Sequence, residues 1–596
     1  MRPGRGWSAL LERGQSWAAV AALVQFRVPL LVPGTPRLPP RPWRPPLRLR
    51  RPHPRLHLRL LRPTTTAAGL AWLVLGLALF TVFLRMSRTV PVNSDGASNA
   101  LQAWAMLHGD PLLRGWQLSD VSFYTTELPQ YMLLETIRGL TPDVVHVAGA
   151  MTYTVLVLLA GMLAKGRATG RTGLLRAGLA MGIMLAPQAG NGIYVLILSP
   201  DHVGSTIPVL LAWLLVDRAP RRWWVPPAVA LLLTWALTAD SIVLLTGIVP
   251  LAAVGAARGY QAGVRDRRGL RGAWFELLLV AAAGAAVAGS GLVLALIASH
   301  GGFYVWPVGN ELAPFTLLPG NLMLTLQGIL LLFGANFLGQ NAGYVAALAA
   351  AHLVGIGLAA WAVGAALRRW ARLDLAVQLA VASLLVSLVA YLCGRNALDV
   401  QSTREFTAVL PFGAALAGRL LARRLRAAAF VPALAGLLTA YLLGLAQVVT
   451  LPAVPAQGSQ LAAWLSARHL TYGLSGYWQS NVVTLDSGGR VRIRALLAAG
   501  PKVIADDWET EPAWYNPALH EANFIVLSQN APAAQPFPPI ANVRATFGQP
   551  VSISYVGQYT VMVWNKNLLS DLHPQPDPAT GGQPAATSEL LHKLAG

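Results

Sequence analysis

Apolar runs of about 20 residues recur along the chain without a charge inside them, and each is long enough to cross the roughly 30 Å of a bilayer's hydrocarbon as a helix. The first clear one is 66–86. Others lie near 146–164, 174–190, 203–217, 225–239, 241–257, 274–298, 343–367, 373–393, 405–422 and 428–449. Only 12% of the 596 residues are charged, about half the share usual in a soluble domain. A soluble core of buried helices seldom gives so many runs of this length. The pattern predicts a polytopic α-helical membrane protein of about eleven transmembrane helices.

The arginines set the orientation. The formal net charge is +21, from 46 Lys+Arg against 25 Asp+Glu. In a soluble chain that balance would suggest nucleic acid. Here the arginines sit in short loops between apolar runs and in the N-terminal tail, and no zinc, Walker or RNA-binding motif accompanies them, so no nucleic-acid partner is expected. Arg167, Arg171 and Arg176 follow the second span, and Arg218, Arg221 and Arg222 the fourth. Arg265, Arg267, Arg268 and Arg271 follow the sixth, Arg368, Arg369 and Arg372 the eighth, and Arg423, Arg424 and Arg426 the tenth. All five clusters then share the side of the basic N-terminal tail, which is the cytoplasmic side. The apolar stretch 321–337 would break this alternation if it crossed, so it reads as a re-entrant or interfacial helix on the outer side. The outer segments become 87–145, 191–202, 299–342, 394–404 and everything after about 450.

Both ends differ from the middle. Residues 1–63 hold 13 arginines and many prolines, a composition that cannot bury a core and predicts a disordered cytoplasmic tail. After 450 the chain alternates short β-type and helical patterns. Residues 455–567 read as a small α/β domain outside the membrane, with a hairpin predicted where Val482–Leu485 and Val491–Arg494 flank Asp486-Ser487-Gly488-Gly489. Residues 568–596 read as a flexible tail. The single cysteine, Cys393, allows neither an internal disulfide nor a Cys-based metal site.

Polar chemistry on the outer face has to come from the outer segments. Asp95 leaves the first span directly, where a carboxylate is costly unless used or paired. Farther along the same segment, Asp110 stands before a proline and reads as a turn former or a substrate contact, and Asp120 as a helix cap or a substrate contact. Tyr124 and Trp116 can stack on a sugar or anchor at the interface, and Glu127 is a further candidate contact. Asp201 and His202 open the fourth span, where they can hold a divalent metal or cap the helix. Arg404 heads a late span on the outer side, against the positive-inside bias. A guanidinium there matches a lipid phosphate, or pairs with Glu405 or an outer acid.

A long first outer loop with an acid just after the first span, Ser199-Pro200-Asp201-His202 at the fourth span, and Arg404 with Pro411 near the last spans resemble the GT-C superfamily of membrane glycosyltransferases. The resemblance covers 64–450, and the branch it points to is the bacterial protein-mannosyltransferase and aminoarabinose-transferase type. Tyr472-Gly473, Gly476-Tyr477-Trp478 and the run Tyr559–Trp564 look like the outer domain of such proteins. The resemblance implies transfer of a sugar from a polyprenyl-phosphate donor to a glycan, lipid or protein acceptor on the outer face of a bacterial cytoplasmic membrane. Asp95 would match the acid that activates the acceptor. Asp201, with His202 beside it, would match the second-loop acid, and Arg404 the arginine at the donor phosphate. A divalent cation, Mg or Mn, would be held by Asp95, Asp201 and His202. Many relatives carry two adjacent acids in the first loop, and Gly96 after Asp95 departs from that pattern, which weakens the case for a firmly bound metal. Two other classes remain open from the residues: a transporter or flippase of a lipid-linked sugar, which would need charges near the bilayer midplane, and a non-catalytic assembly protein of the cell envelope.

Overall fold

The computed structural model describes residues 65–572 except 199–201, 220, 268, 308–310, 342, 427–430 and 529–537. The expected N-terminal tail 1–63, the residues after 572, and Asp201 lie outside the described residues.

The first part of the chain is helical. In order it runs α1 (Thr65–Ser87), α2 (Ser94–Leu107), α3 (Glu127–Arg138), α4 (Asp143–Lys165), α5 (Gly170–Ile183), α6 (Thr206–Arg218), α7 (Val225–Ala239), α8 (Val249–Tyr260), α9 (Gly269–Ser299), α10 (Leu318–Leu332), α11 (Tyr344–Ala351), α12 (Leu353–Leu367), α13 (Leu375–Cys393), α14 (Val409–Leu421) and α15 (Val431–Thr450). Among the described residues five helical stretches are long and apolar enough to cross a membrane: Gly69–Ser87, Asp143–Lys165, Gly269–Ser299, Tyr344–Leu367 and Leu375–Cys393. Of these, α4 lies in the centre, packed on α1, α5, α6 and α14. By contrast α1 and α9 turn leucines outward, with Leu70, Leu73, Leu77 and Leu292 all exposed. Water would penalise that surface, and lipid accepts it. The chain is a membrane-embedded, mostly helical protein.

The first outer segment is more helical than its sequence suggested. Helix α2 starts at Ser94, directly after the first span, because the Asn93 side chain accepts the Gly96 N–H at 3.0 Å and caps it. Asp95 therefore sits in a first helical turn, where the helix dipole favours a carboxylate. The 321–337 stretch forms α10, which Asn321 pins by donating from Nδ2 to the carbonyls of Leu392 and Gly394, both at 2.9 Å.

From α16 (Ser459–Ala467) onward the chain builds a six-stranded mixed sheet in the order β5-β4-β3-β6-β8-β7. Its strands are β3 (Tyr472–Ser475), β4 (Arg492–Ala499), β5 (Lys502–Ala505), β6 (Phe524–Ser528), β7 (Ser552–Val556) and β8 (Tyr559–Val563), and they follow a short pair, β1 (Gln117–Leu118) with β2 (Tyr304–Val305), from the preceding loops. The hairpin expected at 482–494 does not form. Val482–Leu485 belong to α17 (Tyr477–Asp486), and β4 pairs in parallel with β3. Parallel partners need a crossover, and α17 supplies it, burying Val482, Val483 and Leu485. Gly488 and Gly489, at φ +62° and +77°, make the tight return into β4. The first residues of the tail expected from 568 are structured instead: Leu568–Asp571 form a 3₁₀ turn with Leu568 and Leu569 buried in the sheet's core.

Candidate active site

Six separate stretches of the chain end at one cavity. It is lined by Asp95, Ser119, Asp120, Val121, His202, Arg404, Glu405, Tyr477, Trp478, Trp508 and Glu509, and holds about 530 Å³ of space, part of it open to solvent. Asp95, Asp120, His202 and Arg404 thus come together. Asp110, Tyr124 and Glu127 do not line it. Asp110 pairs loosely with Arg114 at 3.9 Å. Tyr124 donates to the Pro111 carbonyl at 2.8 Å and leans on Phe303. Glu127 accepts from Thr126 and lies against Gly204, where any side chain would collide with its carboxylate. Trp116 is buried edge-to-face on Trp514 and presents no stacking face.

Asp95 is held from three sides. Its Oδ1 accepts the Tyr477 hydroxyl at 2.7 Å, and its Oδ2 accepts Asn93 Nδ2 at 3.0 Å. Arg404 Nη1 stands 3.6 Å from Oδ2, an ion pair slightly longer than a hydrogen bond. Arg404 reaches this position from a 3₁₀ turn, Gln401–Phe406, ahead of α14. Asp399 fixes the turn by accepting the backbone N–H groups of Gln401 and Ser402 at 2.8 and 2.9 Å. The guanidinium therefore pairs with Asp95, and Glu405 turns to a different partner.

That partner is His202. Its Nδ1 lies 2.9 Å from Asp240 Oδ2, and its Nε2 3.4 Å from Glu405 Oε2. Asp240, at the C-terminal cap of α7, also accepts Ser205 Oγ at 2.6 Å and the Ile242 N–H at 2.9 Å. Burial alone would lower the His202 pKa, but the two carboxylates and their hydrogen bonds hold it well above the ordinary imidazole value. His202 is accordingly an imidazolium clamp between two acids. A metal-binding histidine needs a nitrogen lone pair, and both ring nitrogens here face carboxylates. Asp95 likewise has both oxygens engaged by donors. Among the described residues no group of three or more His, Cys, Asp or Glu side chains is arranged to hold a metal ion. Asp95 and His202 do not fit a shared divalent cation.

The C-terminal region completes the cavity. Helix α17 docks on the start of α2, with Ser94 Oγ donating to the Tyr477 carbonyl at 2.7 Å and Asn481 Nδ2 to Ser94 Oγ at 3.1 Å. The loop after β5 is tied down by reciprocal backbone bonds between Gln117 and Thr510, at 2.7 and 3.1 Å. That loop delivers Trp508 and Glu509. Glu509 Oε2 lies 2.5 Å from the same Tyr477 hydroxyl that reaches Asp95. Two lining residues, His202 and Glu509, hold positive φ, +58° and +51°. A non-glycine residue in that region costs about 1–3 kcal/mol and persists only where its surroundings impose it, a situation that concentrates at functional sites. Glu405, Asp240, Tyr477, Trp478, Trp508 and Glu509 were not picked out as site residues from the sequence. Tyr477 and Trp478 stood only in the run that resembles the outer domain, and Glu405 only as a possible partner of Arg404; the signal for Trp508 and Glu509 was the Asp506-Asp507-Trp508-Glu509 run, whose three acids are all buried, an unusual fate for carboxylates.

The chain has a GT-C-like fold. It is similar over 86% of its length, and over the whole of the other chain, to the crystal structure of ArnT from Cupriavidus metallidurans bound to undecaprenyl phosphate, with a TM-score of 0.53 and 12% identity. The apo state of the same protein matches with a TM-score of 0.52, 13% identity, and coverage of 85% and 100%. No family model and no curated protein matches the chain.

Proposed function

We propose that the protein is a membrane glycosyltransferase that moves a sugar from a polyprenyl-phosphate donor to an acceptor on the outer face of a bacterial cytoplasmic membrane. The observation that carries this reading is the Arg404 guanidinium 3.6 Å from the Asp95 carboxylate inside a cavity walled by Trp478 and Trp508. The solved ArnT structure with bound undecaprenyl phosphate supports the same class of lipid. About eleven spans, the N-terminus in the cytoplasm and the C-terminal α/β region outside complete the reading, following the arginine clusters.

In the reaction the acceptor hydroxyl attacks the anomeric carbon from the face opposite the phosphate, with inversion. Asp95 takes the hydroxyl proton. The C1–O bond breaks and its electron pair leaves on the phosphate, where Arg404 neutralises the growing charge in bidentate fashion. Its present bond to Asp95 holds the guanidinium in place until the phosphate arrives. His202 clamps Glu405 and Asp240, and so fixes the turn that carries Arg404. Trp478 and Trp508 offer flat apolar faces for the sugar ring, with Asp120 as a hydroxyl acceptor. No step is assigned to Asp201 or to a metal.

Purified protein in vesicles, given labelled polyprenyl-phosphate sugar and candidate acceptors, tests the reading. Transfer of the label with release of polyprenyl phosphate is the expected result. Movement of intact donor across the vesicle would replace the enzyme by a flippase. Neither would leave an assembly protein.

A further inference from the structure

Arg494 is 8% exposed, a depth at which a charged side chain is costly unless it is paired. Arg419, with 10% of its side chain exposed, is held by Asp217 and Asp374 at 2.6 and 3.0 Å. Arg494 has no such partner: among the described residues no carboxylate forms an ion pair with it, and its one hydrogen bond runs from Nε to the Tyr472 hydroxyl at 3.4 Å. Nη1 and Nη2, the ends of the fork that matches paired oxygens, meet no acceptor there. The guanidinium lies instead over the Trp514 ring, with Cζ 3.5 Å from its centroid. Trp514 is itself fixed, edge-on against Trp116 and through its carbonyl, which accepts the Tyr472 hydroxyl at 2.6 Å. A guanidinium stacked on an aromatic face keeps its in-plane N–H donors for another partner.

The surroundings are basic as well. Arg492 stands two residues earlier on the same face of β4 and is exposed. His520 stacks on Tyr472 with ring centroids 4.8 Å apart. Burial, and then the charges of Arg494 and Arg492, lower the His520 pKa, the mark of a positive local field. Glu511 feels the Arg494 charge without pairing with it. We propose that Arg494, with Arg492 beside it, is a binding site for an oxyanion, a phosphate or carboxylate group taken on the Arg494 fork above Trp514. The site is separate from the Arg404 cavity, which none of these residues lines. The loop that carries Trp508 and Glu509 to that cavity continues through Glu511 to Trp514, so one short stretch of chain joins the two. The inference goes beyond the proposed transfer reaction and needs neither the donor nor Arg404.

Titration calorimetry reads the site in the full-length R404A protein in detergent, where the cavity's own cation is gone. The probes are inorganic phosphate and acetate at constant ionic strength. At least one of them should bind saturably, and R494M in the same background should weaken that binding by about tenfold or more, the worth of a charge-assisted hydrogen bond. Tighter phosphate assigns the site to a phosphate-bearing ligand and tighter acetate to a carboxylate-bearing one, and either result supports it. Should R494M fail to fold, R492Q at the exposed position carries the test, since losing one nearby charge should weaken binding about threefold. Binding of neither anion to R404A overturns the proposal. So does an R494M that binds as tightly as its parent, or, where R494M does not fold, an R492Q that does. A wild type that transfers no sugar but binds the anion through Arg494 would remove the proposed function and leave this site standing.

Discussion

Helices α6 and α14 each carry a charged cluster at both ends, and the two clusters are built differently. At their C-terminal ends Arg419 binds Asp217 at 2.6 Å and Asp374 at 3.0 Å, and donates to the Leu163 carbonyl at 2.9 Å. Arg167 closes on the Asp217 carbonyl at 2.8 and 2.6 Å. These contacts are all at hydrogen-bond length, and cations at helix C-termini suit the dipole. At the N-terminal ends His202 and Arg404 stand before the same two helices, but around a cavity. There Arg404 reaches Asp95 only at 3.6 Å. The first cluster is a closed structural latch. The second brackets a cavity, with a cation and a carboxylate set 3.6 Å apart in its lining.

That contrast can be broken by substitution, and the effects should fall in a clear order. D95N removes the base and should lower transfer by about 10²–10⁴-fold while thermal unfolding stays near wild type. A D95N protein with full transfer would make the cavity a second latch. R419M leaves Asp217 buried without its main cation and should cost about 3–5 kcal/mol in stability, read from thermal unfolding in detergent, with kcat of the surviving folded protein unchanged. A larger effect on kcat than on stability would erase the distinction between the clusters. The smallest effect belongs to Tyr124, whose hydroxyl donates to the Pro111 carbonyl at the edge of the loop. Y124F should cost about 1 kcal/mol or less and leave donor KM alone. A raised donor KM would return Tyr124 to the site.

The same contrast explains what could be read from the sequence. Asp95, His202 and Arg404 were visible because a charge at the end of an apolar run must be paired or used. The sequence does not tell the two uses apart, and His202 is paired twice over. Its partners Asp240 and Glu405 were ordinary helix-end acids until the fold brought them to one imidazole. Tyr477 lies 382 residues from Asp95, and no local pattern announces such a contact. The fold followed the same logic. Long apolar stretches such as 373–393 appeared as helices within a residue or two, here as Leu375–Cys393. The Val482–Leu485 run did not appear as a strand, because a short apolar run suits a helix equally well until a parallel partner demands a crossover. Asp110, Tyr124 and Glu127 were grouped with Asp120 because they share its loop. The loop's folding sends only Asp120 into the cavity.

Binding of undecaprenyl phosphate to purified wild type and R404A protein, measured by titration in lipid nanodiscs, tests the central claim most directly. If Arg404 is the donor-phosphate cation, wild type binds and R404A loses about tenfold or more in affinity, the worth of one charge-assisted bidentate contact. Equal affinities for the two proteins would contradict it.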